Sequence, residues 1–173
     1  QTGWDLGQVS PPIKMFFDDV KNKSSRILIP GCGNAHEAEY LHSLGFENVH
    51  VLDFAQKPLD ALKNRIASFP EKHIHQGDFF EHKGEYDFVI EQTMFCAIDP
   101  VLREKYANQV NNLLVDGGML VGVMFRYEMD GGPPYGGTKE EYYNYFSKNF
   151  SDIKMEECYN SIESRQGREL FVR

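Results

Sequence analysis

Arg26 to Asn34 reads RILIPGCGN. A short apolar run, Ile27, Leu28 and Ile29, feeds directly into a turn built on Gly31 and Gly33, and His36 to Leu44 follows with helical spacing. Strand, glycine turn and helix together bring backbone N–H groups and a helix N-terminus up to a nucleotide-like ligand. Read alone, the same stretch is also ordinary turn chemistry. Its neighbours decide between the two.

Downstream the pattern repeats. Val49 to Asp53 is a second strand ending in an acid, and Lys57 to Phe69 is helical, with Leu59, Leu62 and Ile66 on one stripe and Pro70 as its stop. Lys72 to Gln76 reads as a third strand, closed by Gly77-Asp78, and Tyr86 to Glu91 as a fourth. Pro100 opens a long helix to about Leu114. Asp116-Gly117-Gly118 then turns the chain into a fifth strand, Met119 to Phe125. Thr138 to Lys148 is helical, and two further strands, Phe150 to Glu156 and Arg168 to Val172, lie too close together for a crossover helix. Upstream, Pro11-Pro12 open a short helix to about Val20 with Ile13, Phe16, Phe17 and Val20 on its apolar face.

Alternating strands and helices predict an α/β fold with a mostly parallel, seven-stranded sheet, helices on both faces and a C-terminal antiparallel hairpin. This is the Rossmann-like architecture of class I S-adenosylmethionine-dependent methyltransferases. Right-handed crossovers set Gly31, Asp53, Asp78 and Glu91 along one edge, where open α/β sheets take their ligands. A single domain over 1–173 is expected, with 1–24 as a lid or cap segment and 25–173 as the core.

Composition narrows the ligand. The formal charge is −8, with Lys and Arg scattered, which argues against a phosphate-backbone partner. The three cysteines, Cys32, Cys96 and Cys158, form no CxxC pair, so no metal site is expected, and unpaired thiols fit a cytoplasmic setting. No apolar stretch approaches a membrane span, and no secretory signal is visible. Since the chain starts at Gln1 rather than Met, some native N-terminus is expected to precede it. A small-molecule acceptor and a monomer are the expected partners.

The dinucleotide fingerprint needs a third glycine where this chain has His36. That disfavours a nicotinamide-dependent oxidoreductase and favours S-adenosylmethionine, which has no phosphate. Asp53, about 20 residues beyond the second glycine, is placed to accept from both ribose hydroxyls; taken alone, a strand-end turn acid is the commoner explanation. Asp78-Phe79-Phe80 offers a carboxylate for an adenine amino group and an aromatic wall, or else a helix cap with core aromatics. Cys32 reads as a packing residue rather than a nucleophile. His73 and His75, alternating on a strand, read as surface histidines.

Further stretches carry a resemblance. Trp4-Asp5-Leu6-Gly7 with Pro11-Pro12, Ile29-Pro30-Gly31-Cys32-Gly33, Leu52-Asp53, Asp78-Phe79-Phe80, Phe95-Cys96-Ala97-Ile98-Asp99-Pro100 and Asp130 to Tyr135 run in order along the chain, followed by Ser161-Ile162, Arg165, Gly167 and Glu169. In these the sequence resembles the thiopurine S-methyltransferase superfamily, most closely its halide/thiol methyltransferase branch. The resemblance implies S-adenosylmethionine held by Trp4, Gly31, Gly33, Asp53, Asp78, Phe79 and the Gln92 position, where relatives often carry tyrosine. It implies methyl transfer by in-line displacement to a thiol, hydrosulfide, thiopurine-like molecule or halide. Phe95, Tyr135 and Arg165 are the expected acceptor-pocket residues, with Arg126 a weaker candidate, and surface pairing with acids the alternative for both arginines. A non-catalytic S-adenosylmethionine-binding module is the competing class, separable by turnover.

Overall fold

The computed structural model describes residues 5–127 and 131–173. Seven strands form one sheet: β1 (Arg26–Pro30), β2 (Asn48–Asp53), β3 (Ile74–Gln76), β4 (Tyr86–Gln92), β5 (Leu114–Phe125), β6 (Met155–Glu157) and β7 (Glu169–Val172). Their order is β3-β2-β1-β4-β5-β7-β6. The first five pair in parallel, and β7 runs antiparallel to both β5 and β6. This is the predicted sheet with its terminal hairpin.

The three-layer build follows from side-chain alternation along the inner strands. Ile27, Ile29, Val49, Val51, Ile90 and Val121 point to one face. There they meet Ile13 and Phe17 of α1 (Pro11–Asp18), Ala38 and Leu41 of α2 (His36–Ser43), and Leu59 and Leu62 of α3 (Gln56–Arg65). Leu28, Val89, Leu120, Met124 and Leu170 point to the other. They pack on Tyr106 and Val110 of α4 (Arg103–Leu113) and on Tyr142 and Phe146 of α5 (Lys139–Phe146). Thr138 caps α5 by accepting the Glu141 N–H at 3.1 Å.

Several boundaries differ from the sequence expectation. β5 begins at Leu114 instead of Met119: Asp116-Gly117-Gly118 lies within the strand as an irregularity, the register passing from Tyr86↔Leu114 to Phe88↔Met119. His73 sits in a 3-10 turn before β3, so it does not share a strand face with His75, and it is buried rather than on the surface. β6 begins only at Met155, after the 150–154 segment. Where β4 meets β5, Glu91 stands opposite Gly122, and a Cβ there would lie 2.0 Å from the Glu91 carbonyl oxygen. Only glycine lets the two backbones pass this closely.

Candidate active site

Strand register places the ends of β1, β2 and β4 side by side at one edge of the sheet. Gly31 leaves β1 with φ +59°, and a Cβ on it would press on Met94 at 3.2 Å. The turn is closed by the sheet itself. Cys32 donates its N–H to the Leu52 carbonyl at 3.2 Å, and Gly33 donates to Asp53 Oδ2 at 2.9 Å. Asp53 Oδ1 accepts from Ala55 at 2.9 Å. The strand-end acid therefore braces the glycine turn while staying half-buried at the cleft. Phe54, next along, is 81% exposed.

A cleft lies over this turn, lined by Leu6, Gly31, Gly33, Asn34, Gln92 and Thr93 among others. The 5–8 segment closes one side. Asp5 accepts from Asn34 and meets His36 Nε2 at 2.9 Å, and Glu37, buried, accepts the Ser10 N–H at 3.0 Å. Hydrogen bonds from Gly7, His36 and Asn34 hold the Asp5 carboxyl below its usual range, while partial burial works against them. Where the dinucleotide fingerprint wants glycine, His36 thus anchors the N-terminal segment. Trp4 lies outside the described residues, as does Asp130.

The residues fit the cofactor that the sequence implies. Gln92 lines the cleft, and its buried side-chain oxygen has no hydrogen-bond partner among the described residues. A ligand donor such as an ammonium would satisfy it. Asp53 carries acceptor capacity beyond its two backbone bonds. Asp78 accepts the Phe80 N–H at 2.9 Å, capping a 3-10 turn, and is itself exposed. The Phe79 ring does not form the expected wall: it is 4% exposed and stacks 5.1 Å from Tyr106 in the core. Phe54 is the aromatic left free at this edge. Sequence reasoning passed over it, although a large aromatic directly after a strand-end acid was the available signal.

The acceptor side is assembled differently. Phe95 is 1% exposed, its ring packed on Tyr106, Tyr142 and Phe146 at 5.1, 5.2 and 5.8 Å, so it is chiefly a core residue rather than a pocket wall. It also borders a small cavity with Glu91, Thr93, Cys96, Met124, Phe125 and Glu169. The Cys96 carbonyl accepts the Tyr135 N–H at 2.7 Å, which joins the Phe95–Cys96 turn to the 131–136 loop. Arg165 is buried, contacts Glu169 at 3.2 Å, and stands 5.1 Å over the Phe125 ring. It is paired with an acid, as the alternative had it, but inside the protein. Arg126 pairs with Glu157 at the surface.

Arg103 escaped the sequence reading, and Glu91, expected at the ligand edge, lies buried. Arg103, 1% exposed, donates to Glu141 at 2.7 Å and to the Gly136 carbonyl at 2.8 Å, and lies 4.9 Å over the Phe95 ring. Glu91 is equally buried, under the same turn. Burial pushes the Cys96 thiol up to about 12, and the Glu91 carboxylate adds to this, while Arg165 and, more weakly, Arg103 oppose it. Cys32 is likewise raised by burial and stays a packing residue.

Fold and cleft define a Rossmann-like S-adenosylmethionine-dependent methyltransferase. SAM-bound CalS10, an amino pentose methyltransferase from Micromonospora echinaspora, has this fold: TM-score 0.69 at 20% identity, over 92% of this chain and 85% of that one. The family model for thiopurine S-methyltransferase matches residues 1–171, and the chain belongs to that family. It is 31% identical over 147 residues to the probable thiol methyltransferase 2 of Arabidopsis thaliana, covering 82% of this chain and 65% of that protein. With thiocyanate methyltransferase 1 of Brassica oleracea it shares 29% identity over 179 residues, covering 99% of this chain and 79% of that one. Among the described residues no helix is long and apolar enough to cross a membrane.

Proposed function

We propose that this protein methylates a small anionic acceptor, a sulfur nucleophile or a halide. The observation that carries the reading is the turn at Phe95–Cys96. It adjoins Gln92 of the cofactor cleft, is joined to the loop carrying Tyr135, and lies between the buried carboxyl of Glu91 and two buried arginines, Arg165 and Arg103.

Gly31 and Gly33 leave room at the turn for a methionyl group, Gln92 accepts its ammonium, Asp53 accepts from the ribose hydroxyls, and the exposed Phe54 ring covers the adenine. Asp78 and the Phe79 backbone complete that edge. S-adenosylmethionine, when bound, supplies a methyl group activated by the sulfonium. The work left to the chain is positioning and exclusion of water. The arginines offset the nearby carboxylates of Glu141 and Glu169, and the apolar ring and methionine surfaces around Phe125 and Met124 strip the acceptor's hydration. Tyr135, half-buried, donates a hydrogen bond to the anion. An acceptor that arrives as an anion needs no strong base. For a thiol, the proton leaves to solvent before the new S–C bond forms. The thiol and thiocyanate methyltransferase names of the relatives agree with this class of acceptor.

The test is headspace chromatography with S-adenosylmethionine and, separately, iodide, thiocyanate and hydrosulfide. Methyl iodide, methyl thiocyanate or methanethiol above the enzyme-free blank is expected. Tight S-adenosylhomocysteine binding without any volatile product would point to larger thiols or to a non-catalytic module, and would overturn the small-anion reading.

A further inference from the structure

Glu91 is the penultimate residue of β4, just before Gln92, and donors engage both of its carboxyl oxygens. Oε1 accepts the Phe95 N–H at 2.8 Å, Oε2 accepts the Tyr106 hydroxyl, and the Met94 N–H also bonds to the carboxyl. An ionised carboxylate accepts all three, and a protonated one still accepts the amides while its O–H turns to the Tyr106 hydroxyl oxygen, so the carboxyl grips the turn in either state. The Glu91 backbone passes close to Gly122, where a Cβ would lie 2.0 Å from the Glu91 carbonyl oxygen.

We propose that Glu91 is a positioning residue that locks the 92–96 turn and, through the Cys96 carbonyl and the Tyr135 N–H, fixes the 131–136 loop relative to the cofactor strand. The inference rests on the methyl-transfer reading and adds to it what holds the two halves of the site in register. Gln92 leaves from one end of the locked turn and Cys96 from the other, so one carboxylate governs both.

The lock is sensitive to pH. Burial raises Glu91 to about 7 against the pull of Tyr106, Phe95 and Met94. The groups facing it are Tyr106 and Arg103 on α4, Cys96 on the turn, Tyr142 on α5, and Glu169 across the cavity, itself held by Arg165. A carboxyl held above its usual range binds its proton more tightly in the closed turn than when the turn opens to water, so the hold is strongest at low pH and weakens as pH rises toward and through 7.

Hydrogen exchange reads this without any need for turnover. In the wild type, protection of the 93–97 amides and of Tyr135, corrected for intrinsic rates, should fall about 10-fold from pH 6 to pH 8, as one group titrating near 7 in the closed turn and near 4.5 in water requires. Glu91→Gln should lose that fall while the β1 and β2 amides stay as protected as in the wild type. Tyr106→Phe removes a donor that favours the charged form and should move the fall to higher pH, which also covers the case of a poorly folding Glu91→Gln. With iodide, anionic at every pH, kcat/KM should fall over the same interval in the wild type and not in Glu91→Gln. Wild-type protection that is flat with pH, or a Glu91→Gln profile identical to wild type, overturns the proposal. If no acceptor is methylated, the functional reading falls, and the exchange data still decide the role of Glu91.

Discussion

The two halves of the site are built on opposite plans. The cofactor half, from Gly31 to Asp53, is backbone and strand register: a glycine turn at one strand end, braced by an acid at the next, with its bonds made across adjacent strands. The acceptor half is a side-chain relay. Glu91 holds the Phe95 turn, that turn holds Tyr135, and Arg103 reaches from α4 to Glu141 and the Gly136 carbonyl. Strand register makes the first half rigid. The second depends on side-chain contacts that run from 4 residues apart, Glu91 to Phe95, to 38, Arg103 to Glu141.

The sharpest way to break this contrast is at Asp53. Asp53→Ala removes the brace on Gly33 and the ribose acceptor together, at about 3 kcal/mol for hydrogen bonds to a charged group. Calorimetry should find S-adenosylhomocysteine binding weakened about 100-fold. Arg103→Met strikes the other half. Thermal or denaturant unfolding should show a loss of about 2 kcal/mol, the range for breaking a buried pair whose partner stays partly hydrated. Acceptor KM should rise while S-adenosylhomocysteine affinity stays within about twofold, in keeping with hot-spot behaviour confined to one side. Equal damage to both ligands would mean that the halves are one unit.

The smallest effect comes from the opposite end of the cofactor half. There His50 Nδ1 meets His75 Nε2 at 2.9 Å, the His50 and His73 rings lie 4.1 Å apart, and His82 bonds the Tyr86 hydroxyl at 2.8 Å. Burial, then the neighbouring histidines and Arg26, depress His50 to about 3, and burial lowers His73, His75 and His82 as well. These rings are neutral in the fold and take up protons on unfolding below about pH 6.5. Their stability contribution is thus present at neutral pH and lost as pH falls toward 3. Discounted for partial exposure, His50 should cost about 1 kcal/mol by pH 5. Denaturant midpoints between pH 7 and 5 should show it, and His50→Gln should flatten the slope.

The same contrast explains what the sequence made legible. Apolar runs, strand-end acids and the glycine turn are local, so the succession of strands and helices, the hairpin and the placing of Gly31 and Asp53 at one edge could be read directly. The strand through Asp116-Gly117-Gly118 could not, because pairing with Tyr86 overrides the turn chemistry of those residues. Phe79 and Phe95 were read as pocket walls because motif position does not say which way a ring points; core packing on Tyr106 decided both. Arg103 reads in sequence as an ordinary charged residue on a helix, and Glu91 as a strand-end acid at the ligand edge. Only tertiary contact shows that they are buried.

Asp53 already has both oxygens engaged before any ligand arrives, one by Gly33 and one by Ala55. The socket proposed for the ribose is therefore cast when the domain folds, and the ordering entropy is taken up at that stage rather than at each encounter. A catalyst that must release one spent nucleoside and accept a fresh one every cycle gains from this in tempo. Departure of the product leaves the turn standing, and the next molecule meets a finished mould.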